Sequence, residues 1–502
     1  MRLGISAVTL SAALLPLLAA SGAGATTPSF SISMSPGLSP SFSPSIHDYV
    51  EKCGSSTQTL STTGTGSVTI GGKVVAQPAH KTISLVSGQE VIVVSSAGDS
   101  YRVRCIPDDF PAYTVSITGT PTAKGYLVAP VDTFDPAVPS PTTPYVVAFN
   151  RNGVPMWWKS ATSATEPAAV QSGGAPQDPK FFGQSSISWW IDGLEVFHNL
   201  DGTVTNVLGG SGTIDQHDIV PLPNGNYLTI LDVQRNCPAD PSQCIDLSTW
   251  GVPNTNTCMT QCPVLDTEIV ELDPSNNVVW QWDPLATTHV HIDLAAENTN
   301  WRQVPFQDYM HMNSLQYDGN GGIVFSLRHL DAVYRMDMNT GDITWKLGGT
   351  TTPQSLTVLR KNGSPYTGSL FSGQHFARLY ANGTLSVHDN ETRGGPSQTS
   401  LQPRVLLFSI DTNNKKAQII HALTDARITK SVCCGGAQLL ASGNWFVGWG
   451  GNFQTVEYDP LNNPVFTLNT YPYFSYRSSP VTATQAALRA GMDAMVPPYV
   501  LP

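Results

Sequence analysis

Charge is scarce in this chain, and positive charge is scarcest. Only 13% of its 502 residues are Asp, Glu, Lys or Arg, and 26 Lys plus Arg stand against 37 Asp plus Glu, for a formal net charge of -11. A nucleic-acid binder needs a basic face that releases counterions from phosphates, so general nucleic-acid binding is excluded. Long apolar runs are missing too. Past the N-terminal stretch no segment is apolar for long enough to span a bilayer. What is plentiful is turn formers, 43 Gly and 38 Pro, beside 40% hydrophobic residues. That balance suits an all-β protein built from many short hairpins. The length allows about two to four domains.

The chain begins MRLGISAVTLSAALLPLLAASGAGA. Arg2 supplies a positive start, an apolar run reaches Ala20, and small residues close it near Ala23 and Ala25. This is a secretory signal pattern over residues 1–25; a membrane anchor is disfavoured because the run is short and holds Pro16. The mature protein is therefore expected to be secreted or periplasmic. Residues 26–46 are rich in Ser and Pro and read as a loose linker. Residues 47–120 show short alternating runs such as VTIGGKVVAQ and KTISLVSGQEVIVVS, which predict a small β-sandwich domain.

Export favours disulfides. Cys53 and Cys105 stand alone in the N-terminal part and are expected to pair. Cys237, Cys244, Cys258 and Cys262 crowd one insertion, where two disulfides stapling a loop are preferred over a zinc knuckle. Cys433 and Cys434 are adjacent; a bond between them would be strained, and their state stays open. Asn362, Asn382 and Asn390 begin N-x-S/T sequons, which matter only in a eukaryotic secretory route.

From Lys124 onward one element repeats: a strand, an Asn/Asp-rich turn, and a second strand, often with Trp. Copies start at Tyr145, Leu194, Thr267, Asp331, Val405 and Gln454. Between copies lies another hairpin. In three of these a histidine precedes the turn glycine by eight residues: His217 and Gly225, His311 and Gly319, His375 and Gly383. In a fourth, Gly435 takes the histidine slot before Gly443. Two hairpins per unit give four strands per unit. Radial repetition of such units predicts a six-bladed β-propeller over residues 121–502. The three histidines should then meet at one mouth of the channel. The piece TATQAALRAGMDAM predicts a short helix after ring closure.

Other polar groups gather there. Asn313 follows His311 by two residues, Arg328 ends the partner strand, and Arg378 follows His375 by three. Three imidazoles make a good zinc set, but an adjacent Arg would repel the metal, so no metal and no cofactor are expected. A histidine nucleophile acting on a sulfuryl or phosphoryl centre suits the set better, with Arg and Asn on the oxygens. No carboxylate recurs at the histidine position, so a glycosidase pair is not indicated.

The segments QHDIVPLPNGNYL, HMNSLQYD with SLRHLDAVYRMDMNTGDITWKLGG, and QHFARLYANGTLSVHDN resemble bacterial arylsulfate sulfotransferases, over roughly residues 120–470. The segment with RCIPDDFP is similar to relatives that carry a β-sandwich before the propeller. The resemblance implies transfer of a sulfuryl group from an aryl sulfate donor to a phenolic acceptor, independent of nucleotide phosphosulfate, by a ping-pong route through a sulfohistidine. It implies His375 as nucleophile, with Arg328 and the sulfate-binding histidines His217 and His311 completing the catalytic set. It implies Asn313 as a sulfuryl-binding residue; Arg378 is added to the substrate-binding set from its spacing. Which of His217 and His311 handles the phenol proton is left open. The stretch from Gly349 to Phe371 lacks the disulfide that some relatives carry, and the cysteine-rich insertion is outside the family pattern. Two other readings stand beside it: a non-catalytic binding propeller, and a sulfate or phosphate ester hydrolase using the same pocket. The natural substrates and the oligomeric state stay open, a homodimer being the candidate assembly.

Overall fold

The structure is a computed structural model, and it describes residues 30–54, 57–171, 174–209, 213–235, 264–284, 307–308, 310–392 and 401–502. The signal stretch 1–25 and the four cysteines from Cys237 to Cys262 lie outside the described residues. The described chain is all-β, built from sheets of mostly four or five strands, with one α-helix, α1 (Gln485–Met495). No helix among the described residues is long and apolar enough to cross a membrane.

Two sheets form from the N-terminal part. One orders Phe30–Ser35, Gln58–Gly64 and Ala79–Ile83; the other orders Asp48–Lys52, Ser100–Ile106, Glu90–Val94, Ser67–Ile70 and Lys73–Ala76. They share one core, with Ile32, Leu60 and Ile83 from the first against Tyr49, Val91 and Val103 from the second. Cys53 and Cys105 are disulfide-bonded inside it. The expected loose linker over 26–46 is corrected here. Phe30–Ser35 pairs antiparallel with Gln58–Gly64, from Phe30 opposite Gly64 to Ser35 opposite Thr59. The reason is visible in FSISMS: Ile32 and Met34 alternate with serines and are buried. Serine content hid a two-residue period.

Six further sheets follow. Their first strands are β1 (Gln177–Phe182), β2 (Thr213–Pro221), β3 (Met312–Tyr317), β4 (His375–Leu379) and β5 (Gly436–Leu439), with β6 (Ser479–Pro480) at the edge of the remaining sheet. These strands touch in sequence, β1 to β2, β2 to β3, β3 to β4 and β4 to β5; β6 touches β1 and the strand beside β5. The contacts therefore return on themselves. The sheet containing β6 joins the two ends of this region, since Ser479 and Pro480 pair with Leu127 and Tyr126. The repeated hairpins read from the sequence form the outer strands; Ala332–Asp337 with Ile343–Gly348 is one example. Apolar side chains fill the space between neighbouring sheets, as where Val333 and Trp345 meet Leu385, Leu406 and Phe408. Each such fully buried side chain contributes about 1.5–3 kcal/mol relative to exposure.

Helix α1 starts on Thr484, whose hydroxyl accepts from the Ala487 N–H at 3.1 Å. It buries Leu488 and Met492. Arg489 reaches Asp48 at 2.7 Å and Asp493 reaches Arg104 at 2.7 Å, which ties the helix to the N-terminal sheets.

Candidate active site

His217 and His375 sit where their strands break register, and His311 stands one residue before β3, which breaks register just beyond it. The pairing of β2 with Tyr227–Arg235 shifts between Ile214 and Ile219, that of β3 with Gly322–Leu327 between Met312 and Ser314, and that of β4 with Thr384–Asp389 between His375 and Arg378. Bulges re-aim side chains out of the strand alternation. His311 itself has φ 50° and Phe376, next to His375, has φ 54°, conformations that non-glycine residues seldom adopt. In β2 the bulge is held by Asp215, whose carboxylate accepts from the His217 N–H at 2.8 Å.

His217, His311 and His375 come together at one cavity of about 300 Å³, which Arg328, His329, Tyr476, Cys433, Cys434 and Phe134 also line. The His217 and His311 rings lie edge to face with centroids 4.8 Å apart. His311 stacks on His329 at 4.7 Å. Arg328 follows Gly322–Leu327 in a short 3-10 turn, and its N–H donates to the His311 carbonyl at 3.0 Å. Its guanidinium donates to the Val432 carbonyl at 3.1 Å and lies 3.0 Å from His329 Nε2.

The ring of His375 is fixed at both nitrogens. Nδ1 lies 2.7 Å from Asn390 Oδ1 and 2.9 Å from the Gly373 carbonyl. Both are acceptors, because the Asn390 amide donates to Ser431 and to the Cys434 carbonyl. The proton is therefore on Nδ1 and the lone pair on Nε2, where the Cys434 N–H donates at 3.1 Å. Burial, followed by the charge of Arg328, holds His375 well below the ordinary imidazole range, so its ring is neutral.

The other two histidines each carry a carboxylate on Nδ1, and the two pairs differ. His217 meets Asp215 at 2.5 Å. Burial, then His311 and Arg477, push His217 well down, while burial raises Asp215 to about 7 and its neighbour Asp232 to about 9. His217 is therefore neutral. His311 meets Asp308 at 2.5 Å. Burial alone would raise Asp308, but His311 and then His329 outweigh it, and the carboxylate is held below its usual range. Asp308 stays ionised behind His311. Burial pulls the Arg328 guanidinium down only to about 10, so it keeps its charge at neutral pH. Tyr476 adds a buried hydroxyl with no hydrogen-bond partner among the described residues. The cavity thus offers one neutral imidazole lone pair beside a fixed cation and a free donor, a setting for an oxyanion-bearing substrate.

A metal fits less well. Asp308, His311 and His329 bring three donor atoms within 4.8 Å of one another. Both ring nitrogens of His329 are already engaged, one by the Asp308 carbonyl and one by Arg328. A guanidinium so close opposes a cation.

Two expected substrate-binding residues are placed elsewhere. Arg378 does not line this cavity; its guanidinium pairs with Asp218 at 2.7 Å and lies 3.6 Å over the Phe376 ring. Arg378 lies three residues further along β4, where Asp218 holds its guanidinium. Asn313 is fully buried behind the wall, where its amide donates to the Gln374 carbonyl at 2.7 Å and so joins β3 to the start of β4. The adjacent Cys433 and Cys434 are disulfide-bonded. Of the three sequons, Asn362 and Asn382 are exposed, whereas Asn390 is buried against His375 and cannot hold a glycan in the folded chain.

Sequence reasoning missed His329, Asp215, Asp308, Asn390 and Tyr476. Asp215 and Asp308 had a signal, since each precedes its histidine by two or three residues. Arg477, at 1% exposure, was missed as well. It donates to the carbonyls of His217 at 2.7 Å and Asn313 at 3.0 Å, and pairs with Asp178 at 3.0 Å.

Among solved structures the chain is similar to a protein of unknown function from Bacteroides caccae, at 11% identity over 71% of this chain and 98% of that one, with TM-score 0.42. It is similar to a putative 6-phosphogluconolactonase from Bacteroides fragilis at 10% identity, over 78% and 92%, with TM-score 0.34. It is also similar to a catalytically inactive virginiamycin B lyase from Staphylococcus aureus at 8% identity, over 73% and 89%, with TM-score 0.34. These likenesses are too distant to speak to function. No curated protein matches the chain. The family model described as arylsulfotransferase (ASST) matches residues 208–471. That span holds His217, His311, Arg328 and His375, and the chain belongs to the arylsulfotransferase family.

Proposed function

We propose that this chain is an exported arylsulfate sulfotransferase, working by a ping-pong route through a sulfohistidine on His375. The observation that carries the reading is the fixed tautomer of His375. Asn390 and Gly373 hold the proton on Nδ1 and leave Nε2 as the lone pair in a cavity that also presents Arg328. We read the six sheets as the blades of a six-bladed β-propeller beginning near residue 121. We read the N-terminal pair as a β-sandwich beginning at Phe30 and reaching about residue 120, after a cleaved signal of residues 1–25.

In the first half-reaction, Nε2 of His375 attacks the sulfur of an aryl sulfate. The N–S bond forms, the bond from sulfur to the aryl oxygen breaks, and its electron pair leaves on the phenolate oxygen. Arg328 and the Tyr476 hydroxyl hold the sulfuryl oxygens, where the negative charge sits. The Cys434 N–H, released from Nε2 as the new bond forms, turns to one of these oxygens. In this scheme His311 enters as the imidazolium, with Nδ1 on the ionised Asp308, and gives its Nε2 proton to the leaving phenolate. In the second half an acceptor phenol returns its proton to His311, attacks sulfur and breaks the N–S bond. Neutral His217 is a packing and hydrogen-bonding wall in this scheme. Asn313 acts through the backbone of Gln374 and is a positioning residue.

The test is intact mass after mixing the protein with 4-nitrophenyl sulfate, beside a His375→Asn variant. A gain of about 80 Da (one sulfuryl group on the nucleophile) that disappears on adding phenol, and is absent in the variant, is expected. No gain and no nitrophenolate would overturn the reading in favour of a binding protein. Nitrophenolate release that phenol does not accelerate would point to a hydrolase.

A further inference from the structure

We propose that an aromatic groove beside the histidine cavity receives the distal ring of a multi-ring phenol, so that the substrates are extended aryl sulfates and phenols. This rests on the sulfotransferase reading for the reaction, though not for the binding itself.

The groove has a volume of about 640 Å³, and Thr133 and Phe134 line both it and the histidine cavity. The two spaces therefore adjoin at Phe134. The cavity, at about 300 Å³, is at the small end for ligand sites and suits one ring with its sulfuryl group; drug-sized ligands fill roughly 300–1,000 Å³. A larger phenol must extend outward, and the groove is the apolar space in its way.

The groove is built and held. Phe134 stacks on Phe474 with centroids 4.8 Å apart, and Asp132 forms a bridge with Phe474 that fixes the segment carrying Phe134. On the far side Phe453 and Tyr471 meet edge to face at 5.0 Å. Gly451 keeps the floor open: with φ +52°, an added Cβ would stand 3.0 Å from Val432 and 3.2 Å from Phe134. Val432 also joins the groove to the chemistry, because its carbonyl accepts from Arg328 at 3.1 Å.

Phe134 and Tyr471 are 58% and 64% exposed. Large rings left in water next to a reactive cavity mark a surface that is covered in use. Aromatic edges and faces on two sides favour a flat aromatic occupant, which gains offset or edge-to-face contacts beyond simple burial. Only Asp135 and Lys430 bring charge to the lining, so the distal part of the ligand is uncharged and apolar.

The experiment compares dissociation constants of phenol and 4-phenylphenol by calorimetry on the wild-type protein and on the Tyr471→Ala and Phe453→Ala variants. The wild type is expected to bind 4-phenylphenol about 10- to 100-fold more tightly, the worth of burying one further ring. Each variant should lose most of that ratio. Equal affinity for the two phenols in the wild type would overturn the inference. So would a preference that both variants retain, since the second ring would then lie elsewhere. Turnover of 4-nitrophenyl sulfate is measured in parallel. Its absence would overturn the sulfotransferase reading and leave the binding ratio to decide the groove.

Discussion

The Cys434 N–H and the Asn390 carbonyl oxygen grip opposite nitrogens of one ring, His375, at 3.1 and 2.7 Å. Asn390 is itself fixed, since its amide donates to the Cys434 carbonyl at 3.1 Å. Together with the Gly373 carbonyl on Nδ1, this residue pair sets the tautomer and the position of the lone pair.

This grip predicts the behaviour of an Asn390→Ala variant. Nδ1 keeps only the Gly373 carbonyl, and the ring can turn or change tautomer. Losing one buried hydrogen bond of this kind costs about 1–3 kcal/mol. The rate of sulfohistidine formation in a rapid-quench experiment should fall about 10- to 100-fold, with KM for the donor little changed. An unchanged rate would mean that Nδ1 is not what orients the nucleophile.

The two histidine–carboxylate pairs allow the proton-handling residue to be identified. Asp308→Asn removes the charge behind His311 at 2.5 Å. 4-Nitrophenolate leaves without help, so its release should change by less than about tenfold. Unsubstituted phenolate is a poor leaving group, and its release should fall by about 100-fold or more, the usual range for losing general-acid assistance. A loss of equal size for both donors would count against His311, and Asp215→Asn would then be the variant to examine.

Much of this geometry was legible beforehand, and the reasons differ by residue. His217, His311 and His375 were legible because equal repeat position becomes equal position around a ring. Cys53 and Cys105 were legible because each stood alone in its part of the chain. Arg378 misled because spacing along the chain does not show which partner a side chain meets, and Asp218 takes its guanidinium away from the cavity. Phe30–Ser35 was hidden by its serines. Asn390 and Tyr476 reach His375 and the cavity from other segments. Their closeness is tertiary, and no local pattern announces it.

Arg477 predicts a large stability effect. It holds the carbonyls of His217 and Asn313, one on β2 and one on β3, and it pairs with Asp178. Arg477→Met leaves Asp178 with Lys180 as its remaining cation and takes the donor from two buried carbonyls. Each lost buried hydrogen bond of this kind costs about 1–3 kcal/mol. The urea midpoint should fall accordingly, and Arg477→Lys should recover part of it. A midpoint within about 1 kcal/mol of the wild type would show that the carbonyls find other donors.

His388 predicts how stability responds to acid. It lies across the strand pair from His375, fully buried, and neither ring nitrogen has a partner among the described residues. Burial, followed by the charge of Arg477, lowers it to about 3. In the unfolded chain the imidazole titrates near 6.5. Between these values the unfolded state binds the extra proton and the folded state does not. Stability from this group is therefore complete above about pH 6.5 and is lost as pH falls toward about 3, by up to about 1.4 kcal/mol per pH unit. The carboxyls of buried Glu195 and half-buried Asp232 are raised, to about 8 and about 9, and act in the opposite sense, losing stability as pH rises. A wild-type curve alone would mix these effects, so the measurement is a difference. His388→Leu removes the titrating ring without breaking a hydrogen bond. The gap in unfolding free energy between variant and wild type should be constant above about pH 7 and should widen in the variant's favour below about pH 6. A gap independent of pH would mean that His388 takes up its proton as readily when folded as when unfolded.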